Sequence, residues 1–130
     1  MPSSAVYLSY DDAGAVIGWL EAVGFHVTQR IPGEDGRIMH CEAVREDLVL
    51  MVASDDAPYR VPELLGNSTG VGVYLVTDDV EGLYRRAIDA GAVSVHPPED
   101  TGWGSRRARV LDPGGREWSF GSYRPGEAEG

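Results

Sequence analysis

His40 and Glu42 stand two residues apart in "RIMHCEAV", a stretch that reads as a β-strand, so their side chains fall on one face of it. An imidazole and a carboxylate side by side are half of a divalent-metal site. The other histidines, His26 and His96, sit near predicted turns or loops rather than on matching strands. His40 and Glu42 are therefore weak metal candidates, and a polar strand face is the plainer reading. Cys41 alternates away from His40, so that imidazole does not activate it, and a buried structural thiol is expected. No Gly-x-Ser-x-Gly and no phosphate-binding glycine loop is present. If the loop "TGWGSRR" caps a ligand site, the Trp103 indole can stack on a planar ligand. Arg106 or Arg107 can anchor an anionic group there, plain loop packing and solvated charge being the competing readings.

The elements that must position these residues come twice. "VYLSYDD" at Val6–Asp12 returns as "VYLVTDD" at Val73–Asp79, 67 positions on. Each copy starts with a short β-prone run and an Asp pair suited to capping a helix. An amphipathic stretch follows, Val16, Ile17, Trp19, Leu20 and Val23 in the first copy, Leu83, Tyr84, Ala87 and Ile88 in the second. Gly24 and Gly91 then stand where a helix end wants a left-handed residue. "FHVTQRI", "RIMHCEAV" and "DLVLMVAS" read as three strands, with "PGEDG" as a turn. In the second copy "AVSVH" leads into the loop "PPEDTGWGS", and "RARVLDPGGREWSFGSY" reads as a hairpin turning at "DPGG". The pattern predicts an α+β domain over 1–130, with modules at 5–54 and 71–124, a linker at 55–70 and a disordered tail at 125–130.

Bulk properties bound the function. The formal charge is -10, and all 11 basic residues are Arg. Such a surface repels nucleic acid and mildly favours cationic ligands. No apolar run approaches the roughly 20 residues that span a bilayer, and the N-terminus lacks signal-peptide character. One cysteine forms no internal disulfide, so a cytoplasmic location is expected.

The paired βαβββ units, "HCEAVREDLVLMV" and above all "WGSRRARVLDPGGREWSF" resemble the vicinal oxygen chelate superfamily, in its glyoxalase/bleomycin-resistance-like branch. The resemblance runs from about residue 5 to residue 124. It implies a curled eight-stranded mixed sheet around a cup, a homodimer and, in metal-dependent members, four side chains meeting a divalent ion. Those positions fall at Ala5, Leu50, Gly72 and Ser119, which offer no imidazole or carboxylate. With that register the cup face carries Ala5, Tyr7, Leu48, Leu50, Val52, Gly72, Tyr74, Glu117, Ser119 and Gly121.

Two functions follow. The first is a metal-independent protein that needs no cofactor and sequesters a small aromatic or amphipathic compound. Its ligand-binding residues would be Tyr7, Leu50, Tyr74, Trp103, Arg107 and Ser119, with a second copy of the chain completing the cup. The second is a metal-dependent lyase, isomerase or dioxygenase with divergent ligands such as His40 and Glu42. A mainly structural protein whose cup is filled by its own side chains is a third possibility.

Overall fold

The computed structural model describes residues 3–55 and 69–126. Most of the expected linker, 56–68, and the end of the expected tail, 127–130, lie outside the described residues. The chain divides into two compact units, Met1–Val61 and Pro62–Gly130. Each holds one βαβββ module, so the α+β fold of two tandem modules is present, its eight strands forming two four-stranded mixed sheets.

The first module comprises β1 (Val6–Tyr10), α1 (Ala13–Ala22), β2 (His26–Pro32), β3 (Ile38–Arg45) and β4 (Leu48–Ser54). Its sheet order is β1-β4-β3-β2, with β1 parallel to β4 and the other pairs antiparallel. Asp12 caps α1, accepting from the Ala15 amide at 3.2 Å, and Gly24 takes the positive φ of 106° that follows the helix. Val16, Ile17, Trp19, Leu20 and Val23 are all buried, the face that the apolar spacing selects. The sheet presents Leu50, Val52, Cys41 and Ala43 to this core, each fully buried.

The second module repeats the plan with β5 (Gly72–Val76), α2 (Val80–Asp89), β6 (Val93–Asp100), β7 (Arg106–Leu111) and β8 (Glu117–Gly121), ordered β5-β8-β7-β6. Asp79 caps α2 through the Gly82 amide at 3.0 Å, and Gly91 has φ 115°. Trp118, Phe120, Ala108, Val110 and Leu75 fill the core beneath α2 with Leu83 and Ala87. β6 runs further than the sequence pattern suggests, through Pro97 and Pro98 to Asp100. It is an edge strand, and the ladder shifts register between His96 and Glu99, so the two prolines lose no obligatory sheet hydrogen bond.

The hairpins before the last strands differ in length. In the first module Arg45 pairs with Leu48 across the two-residue turn Glu46–Asp47, where Glu46 takes φ 53°. In the second, Leu111 pairs with Glu117 across Asp112–Arg116. Asp112 organises that longer turn. Its carboxylate accepts from the Gly114 and Arg116 amides at 2.9 Å each and from the Trp118 indole N–H at 2.8 Å.

Candidate functional site

Residues directly opposite one another on adjacent strands share a face of the sheet. In the second module Arg106 donates to Glu81 of α2 through Nε at 2.6 Å, which marks the Arg106, Ala108 and Val110 side of β7 as the helix side. The opposite face carries one row across the sheet. Tyr74 pairs with Ser119, Ser119 with Arg109, and Arg109 with His96. Beside it, Gly72 pairs with Glu117, and beyond it Val76 pairs with Gly121 and Gly121 with Arg107.

The first module builds the same row, since Tyr7 pairs with Met51, Met51 with Glu42, and Glu42 with Gln29. Cys41 lies on the other side, where burial raises its pKa and the Glu21 carboxylate of α1 adds to the effect. Tyr7 is 50% exposed on the helix-free face.

Leu50 is placed differently from the expectation. Its partners are Val6 and Ala43, and it is fully buried on the helix side, so it does not share a face with Tyr7. Val52 is likewise buried there, and Leu48 shares that side. The reason is the hairpin. The longer Asp112–Arg116 turn shifts the internal repeat by one residue, so Leu50 corresponds to Trp118, and Met51 is the counterpart of Ser119. Both Leu50 and Trp118 are core residues.

In the second module the expected face is assembled: Gly72, Tyr74, Glu117, Ser119 and Gly121 lie together. The Tyr74 hydroxyl donates to the Tyr123 carbonyl at 2.8 Å. Burial pushes its pKa above the ordinary phenol range. The ring lies over Gly121, where an added Cβ would come within 3.0 Å of Tyr74 Cε1 and Cζ. Glu117 crosses Gly72 in a similar way, since a Cβ at residue 72 would come within 3.1 Å of Glu117 Oε2. Arg109 Nε lies 3.4 Å from Ser119 Oγ and 3.7 Å from Glu117 Oε2.

The three neighbouring arginines have different surroundings. Arg106 is held between Glu81 and Asp100, an arrangement that draws the Glu81 carboxyl below its usual range. Arg107, an expected ligand anchor, is paired with Glu99 at 2.9 Å. Arg109 was not among the expected site residues. Its signal in the sequence is the alternation of "RRARVL", where Ala108 and Val110 claim the core and leave positions 107 and 109 on the other face.

Trp103 is 72% exposed on the loop joining β6 to β7. Thr101 fixes the base of that loop, its Oγ1 accepting from the Ser105 amide at 3.2 Å and lying 2.8 Å from Ser105 Oγ.

His40 and Glu42 share the helix-free side of β3 and engage each other, Nε2 to Oε2, at 2.7 Å. Among the described residues no group of three or more His, Cys, Asp or Glu is arranged to hold a metal ion. His96, expected near a loop, is on β6 beside Arg109. With Met51 the counterpart of Ser119, the positions equivalent to the four expected ligands are Ala5, Met51, Gly72 and Ser119. A methyl, a thioether, a hydrogen and a hydroxyl do not make a site for a hard or borderline divalent ion. The space over Gly72 is also taken by Glu117. These positions do not fit the metal that the fold family implies.

Among the described residues no helix is long and apolar enough to cross a membrane. A sequence profile described as the Glyoxalase/Bleomycin resistance protein/Dioxygenase superfamily matches residues 5–120. An uncharacterized protein of Mycobacterium tuberculosis, Rv0887c, is 35% identical over 127 residues, covering 92% of this chain and 74% of the relative. Among solved structures, TioX from Micromonospora sp. ML1 is 29% identical with a TM-score of 0.71, over 94% of this chain and all of that one. The bleomycin resistance determinant encoded on transposon Tn5 shares the fold at 22% identity and a TM-score of 0.64, covering 95% of this chain and 99% of its own.

Proposed function

Since the chain belongs to the Glyoxalase/Bleomycin resistance protein/Dioxygenase superfamily, we propose that it binds and sequesters a small aromatic or amphipathic compound without a metal. The observation that carries this reading is the chemistry at Ala5, Met51, Gly72 and Ser119, where the scaffold is kept and the donor atoms are not. Sequestration needs shape, apolar contact and a few hydrogen bonds, and no catalytic group. Tyr7 with Met51, and Tyr74 with Ser119, supply aromatic and polarizable surface on the helix-free faces. Trp103 adds an exposed indole on a pinned loop. The protein acts as a homodimer in the cytoplasm, without nucleic-acid or membrane partners, in keeping with its charge of -10 and single buried cysteine.

A thermal-shift screen against divalent metals and drug-like aromatic compounds tests this. A true ligand at about 100 times its dissociation constant stabilises the fold by about 2.7 kcal/mol. Stabilisation by an aromatic compound, unchanged by a chelator, is the expected result. Silence across the panel would leave a structural role ahead.

The pairing of His40 with Glu42 favours one other reading, a metal-dependent lyase, isomerase or dioxygenase using that pair as divergent ligands. Stoichiometric Zn, Ni, Mn or Fe in the purified protein, lost in His40→Ala, would establish it over sequestration.

A further inference from the structure

We propose that Arg109 determines the specificity of the ligand face, selecting compounds that carry a carboxylate; the proposal rests on the small-ligand reading above. Three arginines, at 106, 107 and 109, lie close together on β7, and two of them have terminal nitrogens already engaged by carboxylates. Arg106 is gripped on the helix side by Glu81 and Asp100, and Arg107 is paired with Glu99. Arg109 differs. Its hydrogen-bond and ion-pair partners among the described residues, Ser119 Oγ and Glu117 Oε2, both approach Nε. Neither terminal nitrogen has an acceptor among those residues, and the side chain is one-third exposed.

A guanidinium engaged at Nε still presents the N–H groups of its far edge in a fixed planar arrangement. That arrangement matches the two oxygens of a carboxylate. The strand register holds the group in place, with Ser119 on one side of Arg109 and His96 on the other. Tyr74 stands one strand further along the same row, so a ring joined to the carboxylate lies toward an aromatic surface. Glu117 decides between anion classes. Its carboxylate sits 3.7 Å from Arg109 with a side chain only 16% exposed, which leaves the immediate site close to electrically neutral. At such a site a dianionic phosphate loses more hydration than a monoanion, with no net attraction to offset it. The acidic surface of the whole chain does not oppose this, because exposed charges beyond about 10 Å are screened at ordinary ionic strength.

The test uses the full chain and matched pairs of probes, benzoate with benzamide and indole-3-acetate with indole-3-acetamide, with phenyl phosphate as the competing anion. Calorimetric titration reads the affinities. Each acid is expected to bind more tightly than its amide by on the order of 10- to 100-fold, the usual worth of a charge-assisted pair. Arg109→Gln should erase that preference, bringing acid and amide to equal affinity, and Arg109→Lys should restore only part of it. Melting curves of both variants check that they fold, and the Lys variant supplies the reading if the Gln variant does not. Equal binding of acid and amide, or an acid preference that survives both substitutions, overturns the role of Arg109 and leaves the small-ligand reading standing. A stronger response to phenyl phosphate overturns the carboxylate assignment. If no ring compound of any charge binds, the small-ligand reading falls and this proposal with it.

Discussion

The carboxylate of Asp112 accepts the indole N–H of Trp118 at 2.8 Å, six residues further along the chain, and both groups are buried. The same carboxylate receives the Gly114 and Arg116 amides, so one side chain both shapes the hairpin and satisfies the largest donor in the core of the second module. "DPGG" is therefore more than a turn signal. It fixes the register that brings Glu117 and Ser119 to the helix-free face.

Asp112→Ala should destabilise the protein by about 3–5 kcal/mol, because a buried donor left without a partner costs about 1–3 kcal/mol and two turn hydrogen bonds go with it. Asp112→Asn keeps one acceptor oxygen and should cost less. Urea midpoints for the three proteins check the ranking, and an Asp112→Ala protein as stable as the parent would show that the indole finds another acceptor.

Gly121→Ala should also destabilise, by about 1–3 kcal/mol, through a steric conflict rather than a lost hydrogen bond. The added methyl group meets the Tyr74 ring and must push its hydroxyl off the Tyr123 carbonyl. Tyr74→Ala in the same chain removes the obstacle. The two changes should then be non-additive, the double variant costing less than the sum of the single ones. Simple additivity would place the strain elsewhere.

Cys41 gives a pH dependence with a defined sign. Burial raises its pKa, Arg30 opposes that, and Glu21 and Glu42 add to it. Thiols of the unfolded chain ionise near pH 8.5. Between that value and the raised native one, the folded state holds a proton that the unfolded state has lost. Stability is therefore full below the window and falls as pH rises through it. Urea midpoints should drop more between pH 7 and pH 9.5 in the parent than in Cys41→Ala. Parallel curves would mean that the thiol does not contribute. Native Cys41 should also react with a thiol reagent far more slowly than the unfolded chain.

Much of this molecule is legible in its residues because the module is stated twice. The second Asp of each pair caps its helix, Gly24 and Gly91 end them, and the apolar spacing picks out the buried faces of α1 and α2. Leu50 shows where that legibility stops. An ungapped comparison holds through β3 and β7, then fails at hairpins of unequal length, and one residue of slip moves a side chain to the opposite face. Pro97 and Pro98 mislead for another reason, since an edge strand with a register shift tolerates what a central strand does not. Arg109 looks like its neighbours in one dimension. Only the folded positions of Glu81, Glu99 and Asp100 show which arginine keeps its far edge unengaged.

Glu42 and Arg109 occupy the same place in the two copies of the row. Each lies two strands from the tyrosine, with Met51 or Ser119 between and Gln29 or His96 on the far side. The duplicated position thus appears once with each sign of charge. Glu42 is an acceptor already engaged by His40 and offers no donor to a carboxylate of the kind proposed for Arg109, so the second copy of the row adds no capacity for that anion. A chain that carries its architecture twice should titrate with a valency of one.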